Sequence, residues 1–83
     1  MDFPSRLRKL RKENNYTLKE LANKFNSSKM AFSNYENDNR RPNMELIIKL
    51  ADFFNVTTDY LLGKTDEKNL TGTINYQKKY ENL

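Results

Sequence analysis

Residues 17–36 read Thr17-Leu-Lys-Glu20-Leu21-Ala22-Asn-Lys-Phe25-Asn26-Ser27-Ser28-Lys29-Met30-Ala31-Phe32-Ser33-Asn34-Tyr35-Glu36 and contain two helix starts close together. Thr17 and Glu20 form a capping-box sequence, in which the hydroxyl accepts the Glu20 amide and the glutamate reaches back to the Thr17 amide. A short helix from about Leu18 to Phe25 follows, with Leu21, Ala22 and Phe25 as its apolar stripe. Asn26 stands where a residue tolerant of left-handed backbone closes it. Ser27-Ser28 offers the next N-cap. In the helix it starts, Phe32 and Tyr35 face inward, Lys29, Met30, Ser33 and Asn34 are left outside, and Asn37-Asp38-Asn39 breaks the pattern. A connection of only three or four residues makes this pair an αα corner, not a long antiparallel hairpin.

Upstream, Phe3, Leu7 and Leu10 recur at helical spacing from about Ser5 to Glu13, with Arg6, Arg8, Lys9, Arg11 and Lys12 filling the other faces and Asn14-Asn15 ending the run. Downstream, Pro42 is excluded from a helix interior, and Asn43 can cap a fourth helix whose Leu46, Ile47, Leu50, Ala51 and Phe54 make the strongest apolar face in the chain. Asn55 is its expected stop. Thr57 or Thr58 can cap a fifth helix through Tyr60, Leu61 and Leu62, and Gly63 can end it. The expected fold is all-α: a five-helix domain over residues 1–63, followed by a linker or tail over residues 64–83. In that tail Leu70, Gly72, Ile74 and Tyr76 alternate like a strand, whereas Tyr76, Tyr80 and Leu83 fit one helical face; both patterns stay open.

Eighty-three residues support one core. The chain has neither cysteine nor histidine, which removes thiolate metal sites, disulfides, and the commonest metal ligand and general base. A non-enzymatic protein without cofactor, metal or small-molecule substrate is the expectation. Met1-Asp2-Phe3-Pro4 lacks the basic and apolar runs of a secretory signal, and no window approaches the roughly 20 apolar residues of a membrane span, so a soluble cytoplasmic protein with no membrane partner is expected. Through Arg41 there are ten Lys/Arg against five Asp/Glu, a balance of +5, and beyond it five against six, a balance of −1. The positive field is concentrated in the first half, which suits a polyanion.

An αα corner reads DNA when its second helix keeps inward apolar anchors and presents polar side chains on its other face. Residues 17–37 have that layout. Thr17-Leu-Lys-Glu-Leu-Ala-Asn-Lys-Phe25, Ser28-Lys-Met-Ala-Phe-Ser-Asn-Tyr-Glu36, Arg40-Arg41-Pro42, Leu50-Ala51 and Asn55-Val56, in that order, resemble the Cro and phage-repressor (XRE-type) helix-turn-helix family over residues 5–63, about three quarters of the chain. Ala22 resembles the family's small residue where the two helices cross. Asn26 departs from a common glycine, Ser27 from a common aliphatic residue, and Leu18 from a glutamine that touches the DNA backbone.

The resemblance implies a lambda-repressor-like DNA-binding domain in which Lys29, Met30, Ala31, Ser33 and Asn34 meet base edges. Asn34 suits adenine, Lys29 suits guanine O6 or N7, and Met30 or Ala31 suits a thymine methyl. Thr17, Ser28, Arg40 and Arg41 are the implied phosphate contacts. Arg11 and Glu36 match an ion pair that ties the first helix to the end of the recognition helix. A repressor or regulator that binds a palindromic operator in double-stranded DNA as a homodimer is the implied function, with Tyr60, Leu61, Leu62 and the tail as its subunit contacts. Two alternatives remain at this level: an antitoxin or protein-interaction module of the same fold, and the N-terminal DNA-binding part of a larger phage repressor. The base-facing residues and Arg40-Arg41 distinguish the first alternative, since a protein-holding role does not need them.

Overall fold

A computed structural model describes residues 2–68. Its described residues form five helices and no strand: α1 Phe3–Glu13, α2 Leu18–Lys24, α3 Lys29–Glu36, α4 Met44–Phe54 and α5 Thr58–Leu61. Helix α1 starts earlier than periodicity alone suggests, because Asp2 caps it by accepting the Ser5 amide at 3.2 Å and Pro4 fits the first turn, where no amide hydrogen is needed. The remaining starts follow the cap residues. The capping box of Thr17 and Glu20 is complete at 3.0 and 2.9 Å, Ser28 Oγ accepts the Ala31 amide at 3.0 Å, Asn43 Oδ1 accepts Leu46 at 2.9 Å, and Thr57 Oγ1 accepts Tyr60 at 3.0 Å.

Each helix also ends in the same way. Asn15, Asn26, Asp38, Asn55 and Gly63 follow the five helices with φ between 54° and 82°. One residue later, an amide turns back to a carbonyl five positions earlier: Tyr16 to Arg11, Ser27 to Ala22, Asn39 to Asn34, Val56 to Ala51 and Lys64 to Asp59. These left-handed closures satisfy orphan carbonyls and reverse the chain within a few residues. Asparagine and aspartate serve four times out of five because their short polar side chains tolerate that region better than other non-glycine residues do.

The core gathers Phe3, Leu7 and Leu10 of α1, Leu21 and Ala22 of α2, Phe32 of α3, Ile47, Leu50 and Ala51 of α4, and Tyr60 and Leu61 of α5. Phe32 is fully buried, with Phe25 stacked at 6.0 Å and Tyr35 edge-on at 5.3 Å between ring centroids. A smooth Ala22 lets α2 and α3 approach, since no side chain has to fit between their backbones. Phe53 extends the aromatic line to Phe25 and Tyr16 at 5.3 and 5.6 Å while remaining partly exposed.

Arg6, which the α1 pattern puts outside the apolar stripe, is 3 % exposed, its guanidinium 4.0 Å above the Tyr60 ring. Its hydrogen-bond partners come from the end of α5 and the chain after it, a part that the α1 periodicity does not contain.

Candidate nucleic-acid interface

Helix α3 has two faces with different jobs. Its inner face is held by Phe32 and by Glu36, 6 % exposed. Glu36 receives Arg11 through two bonds, Nε to Oε2 at 2.6 Å and Nη2 to Oε1 at 3.1 Å, while Arg11 Nη1 donates to the Tyr16 carbonyl at 2.9 Å. A fork that meets both carboxylate oxygens fixes direction as well as distance. Arg8 adds a longer contact to Glu36 and donates to Asn37 Oδ1, both at 3.4 Å. Two arginines of α1 thus hold the last turn of α3. The family resemblance points to Arg11 with Glu36 and leaves out Arg8, although Arg8 and Arg11, three residues apart, share a helix face.

The outer face stays open. Lys29 and Met30 are exposed, Met30 to 73 %, and Ala31, Ser33 and Asn34 are half-buried beside them. Ser33 Oγ accepts the Asn37 side-chain amide at 3.3 Å. These five residues lie on one short helix whose rear is fixed by Phe32 and the Glu36 pair, so their positions relative to one another are set before any ligand arrives.

Around this face stand the expected anion contacts. Thr17 and Ser28 are exposed, and each uses its oxygen as an acceptor for a helix amide, which leaves the hydroxyl hydrogen free to donate outward. Arg40 and Arg41 are exposed on the loop after α3. That loop is tied to α3 itself, because the amides of Asn39 and Arg40 both donate to the Asn34 carbonyl, at 2.9 and 3.3 Å. Arg41 passes 5.9 Å from the Phe3 ring centroid and 3.9 Å from Asp38, contacts too loose and exposed to hold it away from an incoming phosphate. Leu18 is half-buried and packs on the core, so its side chain supplies apolar support instead of a hydrogen bond.

The expected subunit contacts require a correction. Tyr60 and Leu61 are 2 % and 0 % exposed within the monomer's own core. Side chains already enclosed by α1 and α4 have no surface left for a partner. Leu62 is the member of that trio that remains half-open. The tail residues expected to join them lie outside the described residues, apart from 64–68.

Among the described residues no helix is long and apolar enough to cross a membrane, and no group of three or more acidic side chains is placed to hold a metal ion.

Comparison with known proteins agrees with the all-helical fold. A helix-turn-helix family model matches residues 7–61. The HTH-type transcriptional regulator ImmR of Bacillus subtilis (strain 168) is 43% identical over 77 residues, which cover 90% of this chain and 61% of ImmR. AnsR, a regulator of the same type and organism, is 40% identical over 63 residues, covering 76% of this chain and 54% of its own. The HTH-type transcriptional activator BcrR of Enterococcus faecalis is 36% identical over 75 residues, covering 90% of this chain and 37% of BcrR. The chain therefore spans about three fifths or less of the length of these relatives.

Proposed function

The chain belongs to the XRE-type helix-turn-helix family, and from that membership we propose that it is a sequence-specific DNA-binding transcriptional regulator that represses by occupying its operator as a homodimer. The observation that carries the reading is the two-sided character of α3: Phe32 and Glu36 are locked inside, while Lys29, Met30 and Asn34 lie along the free side. A helix fixed from behind loses little freedom on binding, so the contacts of its open face convert into affinity and discrimination with a small ordering cost.

In this mechanism α3 enters the major groove. Asn34 pairs with adenine, Lys29 donates to guanine, and Met30 and Ala31 cover a thymine methyl, with Ser33 adding a hydroxyl at the same edge. Thr17, Ser28, Arg40 and Arg41 hold the phosphates on either side and set the register without reading sequence. Two subunits place their recognition helices about 34 Å apart, one helical turn of DNA, so the operator is an inverted repeat. Subunit contacts are assigned to Leu62 and to the chain beyond α5. Repression follows from exclusion of polymerase at the occupied site.

Selection of bound duplexes from a random DNA pool tests this reading. It predicts enrichment of an inverted repeat with half-sites one turn apart. A pool that shows no enrichment over many rounds, while the protein remains folded, contradicts it.

A further inference from the structure

Arg6 is a buried cation, its side chain 4 % exposed, and DNA reading makes no use of it. Its Nη1 donates to the carbonyls of Tyr60 and Thr65, both at 2.8 Å, and its Nη2 donates to Asp66 Oδ1 at 2.6 Å. The face of the Tyr60 ring lies below the guanidinium at 4.0 Å. A buried cation is costly unless paired and hydrogen-bonded, so these partners are what make the burial of Arg6 tolerable. Two of them belong to the segment after the left-handed stop at Gly63. The same segment returns to the domain twice more: the Thr57 amide donates to the Lys68 carbonyl at 2.8 Å, and Lys68 Nζ meets Glu13 Oε1 at 3.2 Å.

We infer that Arg6 is a positioning residue, a latch that makes residues 64–68 part of the helical unit and so fixes the direction in which the chain leaves it. The geometry explains why arginine is used. One planar fork reaches a carbonyl of α5, a carbonyl of the exit segment and a carboxylate of the exit segment together, which the single ammonium of lysine cannot do. The consequence lies in α1. The helix that grips the exit segment through Arg6 also grips the end of α3 through Arg8 and Arg11. The exit segment is therefore held by the same helix that holds the end of α3.

The test uses the full chain with two substitutions, Asp66→Ala and Arg6→Lys. Asp66 has a side chain 97 % exposed, and its removal leaves Arg6 the Tyr60 and Thr65 carbonyls and the Tyr60 ring, so the core stays folded even if Arg6→Lys disturbs folding. Two local readouts report the latch: amide hydrogen exchange at Thr57, whose partner is Lys68, and tryptic cleavage after Lys64 and Lys68. Exchange at Leu50, in the interior of α4, reports the fold as a whole. In Asp66→Ala the latch predicts exchange at Thr57 faster by about tenfold and earlier cleavage after Lys64, with Leu50 accelerated no more than Thr57. Arg6→Lys is expected to release the segment at least as far. Unchanged Thr57 exchange and cleavage in Asp66→Ala overturn the proposal, and acceleration at Leu50 without any at Thr57 would mean that the residues act on global stability alone. Neither readout involves DNA, so the latch stands or falls separately from the operator-binding reading.

Discussion

Arg11 Nε lies 2.6 Å from Glu36 Oε2, joining the last part of α1 to the last turn of the recognition helix across 25 positions of sequence, with the Glu36 side chain only 2 % exposed. Such a pair adds little net stability but is expensive to break from one side, because the partner is left charged and enclosed. Glu36→Ala is therefore expected to cost about 3–5 kcal/mol, read by urea unfolding. Replacing both residues with apolar ones of similar volume should cost much less. A double-variant loss equal to the sum of the losses in the Glu36 and Arg11 single variants would show that the pair is not energetically coupled.

Phe32 has the same anchoring role through packing alone. Phe32→Ala removes a fully buried ring and is expected to cost about 3–5 kcal/mol, enough to leave a marginal domain largely unfolded at ambient temperature. Thermal unfolding by circular dichroism is the check.

The left-handed stop after α4 gives a backbone prediction. Asn55 sits at φ 58° and ψ 45°, where a β-carbon without a helpful polar group costs roughly 1–2 kcal/mol. Asn55→Ala should lower stability by about 1 kcal/mol, and Asn55→Gly should leave it equal or raised. A loss of stability in the glycine variant would mean that the asparagine side chain, not the backbone geometry, matters there.

At the other end of the domain, Asp2 accepts the Ser5 amide at the start of α1, and this backbone hydrogen bond holds its carboxyl below the ordinary value. A lowered folded-state pKa means stability that is present above the ordinary carboxylate value and fades as pH falls through the lowered one. The wild type should be more stable than Asp2→Asn at neutral pH, and the difference should vanish in strong acid. A difference independent of pH would remove the charge from the explanation.

Apart from the start of α1, helix starts and stops were legible in the sequence because they are local chemistry. Thr17 with Glu20, Ser28, Asn43 and Thr57 each act on an amide three residues away, and Asn26 and Asn55 act on their own backbone. Arg6 was not legible. Its carboxylate partner is 60 positions distant and arrives only after the turn at Gly63, so nothing near Arg6 distinguishes it from Lys9 or Lys12. Tyr60 and Leu61 were misplaced for a different reason: α5 has four residues, barely one turn, and so short a window has no measurable phase. The polar side of α3 could be named from spacing, yet that its rear is clamped by Arg8 as well as Arg11 emerges only when α1 is laid against it.

The central claim is that α3 reads bases while the following loop holds phosphates, and affinity measured across a salt series for Asn34→Ala and Arg41→Ala tests it most directly. A side chain at a base edge bonds to one base pair, so Asn34→Ala should cost roughly 1–3 kcal/mol on the selected operator and almost nothing on random duplex. Arg41→Ala should weaken binding to both duplexes and reduce the salt slope by about one for every phosphate that a subunit no longer neutralises. If Asn34→Ala weakens both duplexes equally, or Arg41→Ala leaves the salt slope unchanged, the assignment of α3 and its loop to these two roles is contradicted.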